Sequence, residues 1–157
     1  MIRRARPEDW EGARALWREV DEQHAALAPT YFRTASRPDG EWRDLLAADH
    51  AAVFVAIGDE PAERGVVTGL AVVRIYDTPP DPAMVPLRRG HVETLVVGRA
   101  YRRRGVGTRL MAEVTDWGRL HGAAELVLTV WEGNVEAGAF YERLGYRALS
   151  RVLHARL

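Results

Sequence analysis

The 157-residue chain contains no cysteine and no lysine, and each absence excludes certain kinds of covalent catalysis and metal binding. Without cysteine there is no disulfide, no thiolate nucleophile and no cysteine-bound zinc, and without lysine there is no Schiff base. The only two serines, Ser36 and Ser150, both lie outside any G-x-S-x-G turn of the kind that elbow-type hydrolases use. The sequence therefore disfavours an enzyme that works through a covalent intermediate.

Long apolar runs and an excess of charge of one sign are also missing. The longest apolar stretches, near residues 51–57 and 66–73, fall far below the ~20 residues of a membrane span, and residues 1–10 lack the apolar core of a signal peptide. The 22 basic and 22 acidic side chains cancel, which disfavours general binding to nucleic acid or to an anionic membrane. We expect a cytoplasmic protein with a single domain over residues 1–157.

Hydrophobic periodicity and turn residues predict strands and helices along the whole chain. The predicted strands are 2–5, 51–57, 66–76, 91–97, 125–131 and at least one within 146–157, and the predicted helices are about 7–28, 39–48, 105–121 and 134–144. A strand–helix–strand unit around the third helix implies two parallel strands, whereas the earlier strands, joined by a short turn, are expected to be antiparallel. The expected fold class is α+β with a mixed sheet.

A turn rich in arginine and glycine precedes the third predicted helix. Gly105 and Gly107 allow close backbone approach at the helix start, where unpaired N–H groups form an anion site. Arg102–Arg104 either add charged donors for a phosphate or form a solvated cap. Leu110 breaks the dinucleotide fingerprint, and no Gly-Lys-Ser/Thr follows to make a P-loop. The turn thus indicates a pyrophosphate site outside the two common nucleotide folds.

Two stretches resemble the motifs of a known family. Arg102-x-x-Gly105-x-Gly107, following the strand 91–97, resembles motif A of the GNAT superfamily of acyl-CoA-dependent N-acetyltransferases. The stretch NVEAGAFYERLGY at 134–146 resembles motif B of the same superfamily, in the expected order and separation. The resemblance implies a GNAT-like fold, in which about four helices flank a central, mostly antiparallel sheet that contains one parallel, splayed strand pair.

The resemblance also implies how acetyl-CoA, the expected co-substrate, is held. Its pantetheine arm would lie in the gap between the splayed strands, and its pyrophosphate would rest on the N–H groups at the start of the third helix. Asn134 would contact the arm, although asparagine at a helix start equally indicates an N-cap, and the two roles are compatible. No metal is expected. The implied CoA-binding residues are Leu95, Val96, Val97, Arg102, Arg103, Arg104, Gly105, Val106, Gly107, Thr108 and Asn134.

Glu93 and Tyr141 are the candidate proton-transfer residues. An amine is protonated at neutral pH and must lose a proton before it attacks a thioester, and Glu93, an acid in an apolar strand, is the candidate base. The resemblance places the general acid at Tyr141, whose spacing on the helix also fits a core aromatic. His91 shares a strand face with Glu93 and is either an ordinary strand-edge histidine or an assistant to it. We expect a backbone N–H, with Val96 as the first choice, to polarise the thioester carbonyl.

The sequence therefore predicts an N-acetyltransferase that moves an acetyl group from acetyl-CoA to a primary amine by direct attack in a ternary complex. The acceptor, a small-molecule or peptide amine, stays open. Asp77 and Asp81 would attract a cationic amine, and the expected wall of the acceptor site is His24, Tyr31, Phe32, Tyr76 and the segment 149–154.

Two other functions remain as alternatives. A non-catalytic acyl-CoA sensor would need the glycine turn and Asn134 but neither Glu93 nor Tyr141. A nucleic-acid-binding module would use Arg102–Arg104, but the chain has no net charge and no aromatic residues interleaved with these arginines. No nucleic-acid or membrane partner is expected, and a homodimer is common in the superfamily.

Overall fold

One five-stranded sheet organises the chain, in the computed structural model that describes residues 1–35 and 37–156. Its strands follow the sequence order: β1 Ile2–Arg4, β2 Ala51–Ile57, β3 Val67–Asp77, β4 Arg88–Val97 and β5 Glu125–Val127. The α-helices of these described residues are α1 Trp10–Leu27, α2 Asp39–Ala47, α3 Val106–Leu120 and α4 Val135–Arg143. Neighbouring strands are antiparallel except for the parallel pair β4–β5. The predicted α+β class with a mixed sheet is confirmed.

The two faces of the sheet are covered by different helices. On one face Val53 and Val55 of β2 pack with the tryptophans of α1 and α2, and on the other Ala52 and Phe54 pack with α3. This arrangement buries every residue of β2, which explains why its sequence, AAVFVAI, is continuously apolar rather than alternating. None of the described helices is both long enough and apolar enough to cross a membrane.

Strands β4 and β5 part shortly after they meet. They pair only over residues 89–91 and 125–127, and an ion pair of 2.6 Å between Arg89 Nε and Glu125 Oε1 joins them there. A β-bulge at Glu93, where Val92 and Thr94 pair with consecutive residues of β3, bends β4 just beyond this point. From there to Val97 no strand of the described residues covers the second edge of β4. The splayed parallel pair is thus present, and its gap exposes a strand edge.

Of the predicted strands, one is too long, one begins too late and one is not formed. The strand predicted over 91–97 begins at Arg88, where it pairs with the end of β3. The strand predicted over 125–131 ends at Val127, because the chain leaves the sheet where β5 diverges from β4. The strand predicted within 146–157 is not formed in the described residues, which end at residue 156. Tyr, Val and Leu give this segment a strand-like composition, but β-propensity reflects packing against neighbouring strands, and here there are none. Val152 and Leu153 are accordingly 92% and 84% exposed.

Candidate active site

The turn before α3 forms a cradle of backbone N–H groups. Two of its residues, Arg103 and Gly105, have left-handed backbone angles, with φ of +65° and +74°. The first hydrogen bond of α3 runs from the Arg109 N–H to the Gly105 carbonyl at 3.1 Å. The N–H groups before it at the helix start, including those of Gly107 and Thr108, therefore have no helical acceptor. Such a cluster of N–H groups at the positive end of a helix favours an anion.

The three arginines of this turn have different surroundings. Arg102 donates from Nε to the Val97 carbonyl at 3.1 Å, which ties the turn to the end of β4. Arg104 is paired with Glu63, with 3.1 Å between Nη1 and Oε1. Arg103 is exposed and forms no ion pair with any described residue. The sequence does not distinguish the three arginines, but of the three only Arg103 has no ion pair or hydrogen bond with a described residue and so is available to a ligand.

The register of β4 decides which backbone groups line the open edge. The Gly98 N–H donates to the Thr68 carbonyl at 3.0 Å, so Gly98 faces β3. Because backbone groups alternate in direction along a strand, Val96 also faces β3, while Leu95 and Val97 face the gap. The Arg102 contact with the Val97 carbonyl agrees with this direction. The register therefore favours Leu95 and Val97 over Val96 as partners for a ligand in the gap.

Glu93 lies on the bulge, on the sheet face that α1 and α2 cover. Its carboxylate is paired with Arg74 of β3, with 2.8 Å between Oε1 and Nε, and both side chains are 35% exposed. The side chain is thus only partly buried, because the bulge turns it toward a cavity. No hydrogen-bond donor among the described residues reaches its other oxygen, Oε2. Arg74 was missed because the sequence does not show which residue lies beside β4.

The cavity beside Glu93 has a volume of about 590 Å³ and lies between α1, α2 and strands β3 and β4. Trp10, Trp17 and Trp42 form one side of it, with ring centroids 5.7 to 6.2 Å apart. Glu41 and Asp44 of α2 add two exposed carboxylates to its lining. A cavity of this size, partly aromatic and partly acidic, fits a small organic cation.

Most of the predicted acceptor wall lies outside this cavity, in a separate aromatic cluster. His24 stacks on Phe32 with 4.8 Å between ring centroids, and Phe32 meets the edge of Trp131 at 4.7 Å. Tyr31 packs beside Trp131, and its hydroxyl lies 3.2 Å from Nδ1 of His154. The cluster joins the loop after α1 to the segments after β5 and α4. Trp131, which the sequence analysis did not single out, lies at its centre.

Asp77, Asp81 and Tyr76 are not arranged as the sequence suggested. Asp77 accepts two hydrogen bonds of 2.8 Å from Arg88, which hold the pKa of its carboxyl below the usual value. Asp81 accepts from the Ala83 N–H at 2.7 Å within its own loop. Tyr76 meets the ring of His91 edge-on, with 6.4 Å between centroids. Both acids are thus engaged in local contacts.

Helix α4 brings Asn134 and Tyr141 to the opposite face of the sheet. The Asn134 side chain accepts from the Ala137 N–H at 3.3 Å, which confirms its role as N-cap. Phe140 packs against the start of α3 so closely that a Cβ on Gly107 would lie 3.3 Å from its ring. This contact favours glycine at position 107, the second residue of α3, and places α4 beside the N–H cradle.

Tyr141 packs among aromatic rings beside the gap. Its ring lies 5.1 Å from that of Phe140 and 5.5 Å from that of Tyr146, and its hydroxyl makes no hydrogen bond with a described residue. Burial, with a smaller contribution from Tyr146, raises the pKa of Tyr141 to about 12. The phenol therefore keeps its proton across the neutral range. Both sequence interpretations agree with this position, since the ring is core and the hydroxyl is free.

The elements of the site thus surround the gap between β4 and β5 from three directions. The N–H cradle lies beyond the end of β4, Glu93 approaches from the face of α1 and α2, and Tyr141 from the face of α3 and α4. Among the described residues, no group of three or more histidine and carboxylate side chains is placed to hold a metal ion.

Comparison with known proteins decides the family. A sequence model of the Acetyltransferase (GNAT) family matches residues 11–146. The chain belongs to the GNAT acetyltransferase family. This GNAT protein is accordingly an acyltransferase, and the resemblance of its two motifs is confirmed.

Its relatives include enzymes that modify amines. Aminoglycoside N(6')-acetyltransferase type 1 of Salmonella typhimurium is 31% identical over 143 residues, which are 89% of each chain. The solved structure of a variant of the BH1408 protein from Bacillus halodurans matches the fold with a TM-score of 0.92 and 23% identity, over 100% of this chain and 99% of that one. The aminoglycoside acetyltransferase AAC(6')-Iy, solved with a bisubstrate analogue of CoA and acetylneamine, has a TM-score of 0.69 and 26% identity over 100% and 97% of the two chains.

Proposed function

We propose that this GNAT protein transfers an acetyl group from acetyl-CoA to a primary amine by direct attack while both substrates are bound. The observation that carries the proposal is the open edge of β4, which runs from the carboxylate of Glu93 to the N–H cradle of α3. One continuous surface thus offers a base at one end and an anion site at the other. Aminoglycoside acetyltransferases among the relatives support an amine as the acceptor.

The residues around the gap fit coenzyme A. The pyrophosphate would be held by the N–H groups of Gly105, Val106, Gly107 and Thr108, with the uncommitted Arg103 beside them. The amides of the pantetheine arm would pair with the outward backbone groups of Leu95 and Val97, as an added strand would. Arg102 would keep the turn in place through its bond to β4, and Asn134 would meet the arm from the start of α4.

Acetyl-CoA, when bound, supplies an acetyl thioester whose C–S bond breaks as the C–N bond of the amide forms. Glu93 would take a proton from the acceptor nitrogen on its free oxygen Oε2, directly or through water, and release it to solvent. The outward N–H of Leu95 would stabilise negative charge that develops on the carbonyl oxygen. One proton leaves the ammonium, a second leaves the attacking nitrogen and one ends on the thiol, so one is released overall.

Tyr141 would act mainly as a hydrogen-bond donor to the departing sulfur. A thiol has a pKa of about 8.5, whereas burial raises that of Tyr141 to about 12, so complete proton transfer from the phenol to the thiolate is unfavourable. A hydrogen bond from the phenol to the developing thiolate needs no such transfer and is stronger than a bond between neutral groups. The proton on the product thiol then comes from solvent.

Release of free thiol from acetyl-CoA tests the proposal. The protein is incubated with acetyl-CoA and a panel of primary amines that includes an aminoglycoside, a polyamine, a peptide and 2-phenylethylamine. We expect thiol release that depends on the amine and saturates with it, together with the acetylated amine in mass spectrometry. Binding of acetyl-CoA without amine-dependent release for any of the four classes would instead indicate a non-catalytic acyl-CoA sensor.

A further inference from the structure

Arg74 occupies a place that the proposed chemistry does not explain. It projects from β3 into the cavity beside the bulge, where its Nε lies 2.8 Å from Oε1 of Glu93. Its Nη1 lies 3.4 Å from Nε2 of His50. The backbone of His50 is itself fixed to β3, because its carbonyl accepts from the Ile75 N–H at 2.7 Å. The guanidinium is therefore held between a carboxylate and an imidazole.

No other charged side chain that lines the cavity, among the described residues, neutralises Glu93 as Arg74 does. Arg37 also lines the cavity, but two hydrogen bonds commit it to Asp21 of α1. Glu41 and Asp44 line the cavity from α2 and form no ion pair with a described residue. Arg74 is thus the cation that neutralises Glu93, in a cavity whose other free charges attract cations.

A protonated amine carries the same charge as this guanidinium and needs the same carboxylate. An ammonium that approaches the free Oε2 of Glu93 meets a carboxylate whose charge Arg74 already neutralises from Oε1, so the two cations compete for that charge. The competition is weak enough to be overcome, since a partly exposed ion pair of this kind contributes little net free energy. The carboxylates of Glu41 and Asp44 attract the incoming cation and so offset part of the repulsion it meets from Arg74.

We propose that Arg74 is a positioning residue that holds the carboxylate of Glu93 in the resting protein and yields it to the cationic nitrogen of the acceptor. The inference rests on the proposed function, because it assigns the cavity to the amine. Two consequences have opposite signs. Arg74 weakens binding of a cationic amine by competition, and it speeds proton transfer by fixing the orientation of the carboxylate.

Binding and turnover of 2-phenylethylamine by Arg74→Gln separate this role from a structural one. The probe is a primary amine on an aromatic body and suits a cavity lined by three tryptophans, whose fluorescence reports its binding without acetyl-CoA. We expect the Kd to fall about two- to fivefold, the reverse of losing an exposed ion pair. We expect kcat with acetyl-CoA to fall about tenfold because the carboxylate loses its orientation.

Three further proteins complete the experiment. Arg74→Lys keeps a cation beside Glu93 and should bind the amine as the wild type does, and Arg74→Met replaces the Gln variant if that variant does not fold. Arg88→Gln is the matched control, since it removes an ion pair of equal length, with Asp77, outside the cavity. It should leave both constants unchanged.

The outcomes distinguish this inference from the proposed function. Weaker or unchanged amine binding in the neutral variants, or no amine binding by the wild type, would overturn the role of Arg74, whether or not acetyl transfer occurs. If amine binding tightens as expected but the wild type transfers no acetyl group, the proposed function fails and the competition between Arg74 and the amine stands.

Discussion

Replacing Tyr141 by phenylalanine removes one oxygen from the proposed site and should leave the fold intact. The hydroxyl makes no hydrogen bond with a described residue, so its loss leaves no buried partner unsatisfied. We therefore expect the free energy of unfolding to change by less than about 0.5 kcal/mol. The ring keeps its contacts with Phe140 and Tyr146.

The effect on catalysis should be much larger. A hydrogen bond to a charged group contributes about 1.5 to 3 kcal/mol, so losing the bond to the developing thiolate should lower kcat by about 10- to 150-fold. The KM for the amine should hardly change, because the bond strengthens only as the C–S bond breaks. The hydroxyl stays protonated well above neutral pH, so it should cause no loss of wild-type activity up to about pH 10.

The assay is thiol release at saturating acetyl-CoA, together with chemical denaturation of the same samples. Tyr146→Phe is the matched control, because it removes the neighbouring phenol in the same aromatic group and should retain near wild-type kcat. Retention of more than half of kcat by Tyr141→Phe would refute the reasoning. So would a loss of activity that merely follows a loss of folded protein.

Two further replacements test the roles of single polar side chains. Asn134→Ser keeps an N-cap for the Ala137 N–H but shortens the side chain, so the free energy of unfolding should hold while the KM for acetyl-CoA rises several-fold. Asn134→Ala should raise this KM as well and also lose about 1 kcal/mol of stability in chemical denaturation. Asp9→Asn should lower the free energy of unfolding by about 2 to 4 kcal/mol without changing kcat, because Asp9 is 5% exposed and accepts bonds of 2.7 and 2.8 Å from Arg3. Burial opposes ionisation of Asp9, but Arg3 and the Arg6 N–H hold the pKa of its carboxyl below the usual value. The stabilisation from Asp9 is therefore present above about pH 4 and is lost as the pH falls further. Asp9→Asn should accordingly lose less stability in acid than the wild type does.

The sequence predicted the sheet well where patterns are local. The run at 51–57 was assigned as a strand with its bounds correct, because seven consecutive apolar residues fit a strand buried on both faces. The glycines at 105 and 107 correctly predicted where α3 begins. Gly105 has a left-handed backbone angle that favours glycine, and Gly107 packs closely against the ring of Phe140. The N-cap at Asn134 followed from the residue type and its place at the start of a predicted helix, with contact with CoA as a second, compatible role.

Features that depend on contacts between distant residues could not be predicted. The prediction of a final strand was wrong because residues 147–156 do not pair with a strand edge, and composition does not reveal whether they do. Arg74 lies beside Glu93 only because of the register of β3 and β4 and the bulge, neither of which leaves a mark in the sequence. The direction of the Val96 backbone groups likewise follows from register rather than from residue type.

Calorimetric titration of the protein with acetyl-CoA tests the central claim most directly, because the claim requires the cradle before α3 to hold a pyrophosphate. We expect saturable binding by the wild type, weakened about tenfold or more in Gly107→Ala, whose added Cβ would lie 3.3 Å from the ring of Phe140 and so displace the helix start that carries the cradle. Gly40→Ala, where a Cβ meets open space, should bind as the wild type does. No binding by the wild type at millimolar acetyl-CoA, or equal binding by Gly107→Ala, would contradict the account.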